Sequence, residues 1–131
     1  MKLTVLALLS LFGLSAVAAA AAFQSASAGQ VRHVVVFKYK AGTTPAQIQQ
    51  ITTALAALKD KIPGIVSFEH GENHSPENLN KGFTHVYFIT FTDAKARDAY
   101  LPHPDHQAFG KLLGSLGVLE DVFVVDYTPV P

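Results

Sequence analysis

From Val31 to Tyr39 the chain reads VRHVVVFKY, a β-branched and aromatic run that predicts a strand. Alternation along it is incomplete: Val31, His33, Val35, Phe37 and Tyr39 share one parity, while Val34 and Val36 put apolar side chains on the other. Both faces are therefore expected to be at least partly buried, and the pattern leaves open which of them points inward. The period then changes. Thr44 is placed to cap a helix, Pro45 suits its first position, and Gln47 completes a capping box. Ile48, Ile51, Leu55, Leu58 and Ile62 recur at helical spacing until Pro63-Gly64 stops the run.

A second strand is expected from Ile65 to about Glu72 and a third from Phe83 to Phe91, joined by a polar stretch rich in turn formers. Thr92 or Asp93 can cap a short helix reaching Leu101. Pro102 and Pro104 interrupt it, and Phe109, Leu112, Leu113 and Leu116 restart the helical period. Val118 to Tyr127 reads as a last strand with apolar residues on both faces.

The order β-α-β-β-α-β predicts an α+β, ferredoxin-like domain: a four-stranded antiparallel sheet with its helices on one face. Nothing within the chain covers the other face. Leaving side chains such as Val35, Phe37, Tyr87 and Ile89 in water would forgo about 1.5–3 kcal/mol each. A second copy is the simplest lid, so a homodimer is expected, its two sheets enclosing an apolar cavity.

Ahead of this domain, Met1-Lys2 leads into Leu-rich and then Ala-rich sequence ending in Ala26-Ser27-Ala28. That is the positive, apolar, small-residue order of a secretory signal peptide, so residues 1–28 are read as a signal peptide and 29–131 as the mature domain, secreted or periplasmic. The alternative is a retained anchor, since Leu3 to Phe23 is long enough to span a bilayer. Alanine-rich sequence with overlapping A-x-A sites favours cleavage, after which no membrane association is expected.

Charge adds an exclusion. The formal net charge is +0 and no Lys/Arg run occurs, so there is no electrostatic footprint for nucleic acid. Cysteine is absent, which removes disulfides, thiolate metal sites and cysteine nucleophiles from consideration. Chemistry must rest on His, Tyr, Asp or Glu. All six histidines fall in the mature domain. His33 and His85 lie inside the predicted strands, on faces rich in aromatics. Tyr100-Leu101-Pro102-His103-Pro104-Asp105-His106 packs a phenol and two imidazoles round a helix break, where His103 can cap a new helix. His70 and His74 read as surface residues.

Four segments, V-R-H-V-V-V-F-K, S-P-E-N-L-N-K-G-F-T-H, Y-L-P-H-P-D-H and D-Y-T-P, together resemble the stress-responsive A/B barrel (Dabb) family of dimeric α/β-barrel proteins. The resemblance covers Val31 to Tyr127. It implies a homodimer with a barrel-like cavity but no single activity. One branch, the plant polyketide cyclases, runs an intramolecular aldol condensation without a cofactor. Its catalytic tyrosine and histidine match Tyr100 and His106. Its pocket histidines match His33 and His85, and the remaining histidine of H-P-x-H matches His103.

Three functional readings follow. An imidazole can accept a proton near neutral pH and a phenol can hydrogen-bond a developing enolate oxygen, which fits a cofactor-free acid/base enzyme acting on a small carbonyl compound, with His106 as base and Tyr100 as oxyanion donor. The second is a module that holds a small apolar ligand, or serves stress tolerance, without turnover. The third is a zinc or copper site built from His33, His85, His103 and His106; the preferred assignment has no metal.

Overall fold

The computed structural model describes residues 29–130. The signal-peptide reading of residues 1–28 thus lies outside the described residues. The elements run β1 (Val31–Tyr39), α1 (Pro45–Ala56) with a 3₁₀ turn (Ala57–Asp60), β2 (Ile65–Glu72), β3 (His85–Phe91), α2 (Ala94–Tyr100), α3 (Pro104–Leu116) and β4 (Leu119–Tyr127). They form one four-stranded antiparallel sheet in the order β2-β3-β1-β4. This is the ferredoxin-like α+β arrangement expected from the order of elements.

Local chemistry accounts for the helices. The Thr44 hydroxyl accepts from the Gln47 backbone N–H at 3.3 Å, and Gln47 Oε1 accepts from the Thr44 N–H at 2.9 Å, so the capping box is complete. The chain tightens from α to 3₁₀ geometry at Ala57, short of the predicted helix end, yet Leu58 and Ile62 still join Ile51 and Leu55 in the core. Gly64 closes this segment with φ +92°, and a Cβ there would stand 2.5 Å from the Ala96 Cβ, so both conformation and close approach require glycine. Asp93, not Thr92, caps α2 by accepting from the Ala96 N–H at 2.8 Å. β3 begins two residues later than predicted. Phe83 is held in a turn instead, its N–H bonded to the Asn80 carbonyl at 2.8 Å and its own carbonyl accepting from the Asn80 side-chain amide.

The register decides which parity is inside. Val31, Val35, Phe37, Tyr87, Ile89 and Phe91 face the helices and are buried among Ile51, Leu55, Leu58, Tyr100 and Phe109. This corrects the expectation that Val35, Phe37, Tyr87 and Ile89 belong to the uncovered face. The bare face carries the other parity. Val34 stands between Phe88 and Val125, and Val36 between Val86 and Phe123, forming an apolar patch across three strands. Phe123 is 52% exposed and Val125 42%. Both parities of β1 are apolar, which is why alternation alone could not assign them.

Candidate functional site

A cavity of about 260 Å³ opens between the sheet and the α2–α3 corner. Its polar groups are His33 from β1, Tyr100 from the end of α2 and His106 from the first turns of α3; Val35, Leu55 and Phe109 supply much of the apolar wall. Val122 and Val124 share the helix-facing side of β4 and also line the cavity, yet are about half exposed. The helices stop short of this edge strand and leave the cavity a mouth there. The candidate residues therefore meet inside one protomer, between sheet and helices. They do not meet between two sheets, where the sequence reading had put the enclosed space.

The break between α2 and α3 brings the phenol and the imidazole together. Proline cannot donate to a continuing helix, so Pro102 and Pro104 end one helix and start the next, and the chain turns through Leu101. The rings of Tyr100 and His106 come to 4.1 Å between centroids. His106 Nδ1 lies 2.9 Å from the Leu101 carbonyl oxygen. A carbonyl only accepts, so Nδ1 carries the hydrogen and the neutral ring keeps its lone pair at Nε2. Burial pushes the Tyr100 phenol above the ordinary tyrosine range, which keeps its hydroxyl protonated.

Behind them lies a charged relay absent from the sequence reading. His33, 6% exposed, donates from Nδ1 to Asp126 Oδ1 at 2.6 Å, and the other carboxylate oxygen accepts from the Arg97 guanidinium. The His33 ring meets Tyr100 edge-on at 5.9 Å and Phe91 at 6.0 Å. Asp126 occurs in the D-Y-T-P segment, but its partnership with His33 follows from the β1–β4 register alone, which places the two directly opposite. Arg97 shares a short helix with Lys95, and no sequence pattern singles it out.

The other two expected histidines stand elsewhere. His103 caps α3, its Nδ1 accepting from the Asp105 backbone N–H at 3.2 Å. It is not part of the cavity wall. His85 pairs with Phe37, four positions along β1 from His33, and lines a separate recess beside α1. Among the described residues no three His, Asp or Glu side chains are grouped to hold a metal ion, so the structure does not assemble the proposed set of His33, His85, His103 and His106. His70 and His74 are exposed, as expected.

With the fold and this geometry established, relationships to known proteins become informative. The profile of the stress responsive A/B barrel domain (Dabb) matches residues 31–129, nearly all of the described chain. The chain belongs to that family. Within it, a stress-response A/B barrel domain-containing protein of Arabidopsis thaliana is 36% identical over 101 residues, covering 77% of this chain and 91% of its own length. Olivetolic acid cyclase of Cannabis sativa is 30% identical over 99 residues, covering 76% and 96%. Among solved structures, hydroxynitrile lyase from Passiflora edulis superposes with a TM-score of 0.69 at 27% identity, over 77% of this chain and 94% of its own. A dimeric ferredoxin-like protein from Jannaschia gives a TM-score of 0.65 at 29% identity, over 76% and 98%. Dabb relatives thus include proteins named for stress response and others named for catalysis.

Proposed function

We propose that this Dabb protein is a cofactor-free acid/base enzyme that removes a proton next to the carbonyl of a small, largely apolar compound. One observation carries the reading: Tyr100 and His106 meet in one cavity, their rings tilted by 34°, with the imidazole lone pair left free at Nε2. His106 Nε2 accepts the substrate proton, the electron pair moves into the enolate, and the Tyr100 O–H donates to the developing oxygen. The phenol's raised pKa suits a donor that stays neutral, and apolar walls strengthen that hydrogen bond by excluding water. The enolate can then attack a second carbonyl, and the same two groups serve the reverse cleavage. A cyclase and a lyase among the relatives are in keeping with such proton chemistry.

The proposal includes assembly and address. Two copies pair through the apolar face of Val34, Val36, Phe88 and Phe123, as the dimeric relatives suggest, and the leader exports the chain to the periplasm or exterior. A panel of small ketones and β-dicarbonyl compounds in D₂O, followed by NMR, tests the chemistry. Wild-type protein is expected to accelerate deuterium uptake at the α-carbon of at least one compound. His106→Phe is expected to lose about 10²–10⁴-fold of that acceleration. Full activity in His106→Phe would remove the proposal; a compound that binds with no exchange would point to a ligand-holding role.

A further inference from the structure

At the opposite end of the helix-facing side, a second cavity of about 250 Å³ lies between α1 and the β2–β3 pair, and its walls include His70, Glu72, His85, Thr52 and Tyr87. One atom in it lacks a partner. His85 Nε2 is buried and makes no hydrogen bond, whereas Nδ1 of the same ring lies 2.9 Å from the Thr84 hydroxyl. A buried polar atom left in this way costs about 1–3 kcal/mol and calls for an explanation. Its nearest charged neighbour is Glu72, directly across the β2–β3 ladder, whose Oε1 stands 3.4 Å away.

That spacing is informative. Two ligands held at about 2.0–2.1 Å from one tetrahedral ion stand about 3.3–3.4 Å apart. We infer that His85 Nε2 and the Glu72 carboxylate are two ligands of a divalent transition-metal site of the zinc class, with His70 as the third. His70 precedes Glu72 by two residues on the same strand, so the pleat puts both side chains on one face, and His70 pairs with Tyr87 diagonally from His85. Among the described residues no three such side chains already surround one point. His70 and Glu72 are both exposed and free to swing, and His70 closes the site by a side-chain rotation from its present place against Tyr87. Thr84 holds the buried ring at Nδ1, and in the tautomer whose Nδ1–H donates to its hydroxyl the lone pair sits at Nε2, as a metal ligand requires.

This site uses none of the residues of the Tyr100–His106 cavity, so it stands independently of the proposed enzyme. Titration of Zn²⁺ alone into the purified, chelator-treated and tag-free protein tests it. Wild-type protein is expected to bind one Zn²⁺ per chain, and Co²⁺ in its place to give the visible spectrum of a tetrahedral complex. His85→Ala and Glu72→Gln should each weaken binding by at least about 10-fold, the loss that follows removal of even an outer-shell partner. His106→Phe should bind as wild type does. Should His85→Ala fail to fold, Glu72→Gln and His70→Gln, both changes at exposed side chains, decide the matter. Absence of binding by wild-type protein, or unchanged affinity in Glu72→Gln, would overturn the inference.

Discussion

The two faces of the sheet are made from the same strands by alternate residues, and they serve different ends. On the helix-facing side, Val31, Val35, Phe37, Ile89 and Phe91 are buried by the protomer's own helices, and His33, Tyr100 and His106 are set into that packing. On the other side, Val34, Val36, Val86 and Phe88 are only partly buried, and Phe123 and Val125 are exposed. The proposed chemistry therefore sits where one chain lines the cavity, and the proposed association sits on the face that the chain leaves open. A protomer so divided can position its reacting groups without borrowing any from its partner, while burial of its second face waits on that partner.

Truncation on each face is the sharpest way to break this contrast. Phe91 is fully buried, against His33 and Tyr100. Phe91→Ala is expected to cost about 3–5 kcal/mol of folding stability, measured by urea unfolding, because the surrounding helices cannot collapse into the space left. Phe88, three residues earlier on β3, points the other way, and Phe88→Ala should cost the isolated protomer far less. Equal losses from the two variants would mean that both faces belong to one core, and the division of labour would be wrong.

Next in size is a charge on the bare face. Phe123→Asp replaces a side chain that is 52% exposed in the protomer, so the protomer should remain folded, with an unchanged circular dichroism spectrum. Each copy of a dimer would forgo the burial of one phenylalanine, about 1.5–3 kcal/mol. Sedimentation equilibrium is expected to show association weakened by about 100-fold or more, in the direction of monomer. A variant that sediments as wild type does would place the contact elsewhere on the molecule.

Much of this organisation was legible before any coordinates. β1 and β2 run over the predicted residues, the Thr44–Gln47 box forms, and His103 caps the helix that follows the proline break. Each of these is written in local chemistry: β-branched runs, a paired cap, prolines at a helix start. The parity of β1 was not legible, because Val34 and Val36 are as apolar as Val35 and Phe37, and only the helices' side of attachment separates them. The site was legible in part for the same reason. Tyr100 and His106 are six residues apart and a local turn brings them together, whereas the His33–Asp126–Arg97 contacts span three elements and follow from strand register.

The smallest expected effect isolates the cavity's phenol. Burial is the cause of the raised Tyr100 pKa, so the folded protein holds this proton more tightly than the unfolded chain, whose tyrosines titrate near the ordinary value of 10.0. Below that pH both states are neutral at this group, and it contributes no pH dependence. Above it the unfolded chain ionises first and binds fewer protons than the folded state, so stability must fall as pH rises, by at most about 1.4 kcal/mol per pH unit for one group. Tyr39 is pushed the same way by its own burial and by its contact with Tyr87, so it adds to the alkaline slope. Tyr100→Phe should therefore flatten the decline in unfolding midpoint above about pH 10 without abolishing it, and Tyr39→Phe combined with it should flatten it further. A Tyr100→Phe slope identical to that of wild type would mean that the phenol is open to water in the folded protein. A wet phenol would undercut its assignment as the neutral donor to an enolate, and the contrast between a dry, reactive face and a bare, associating one would then lose its chemical half.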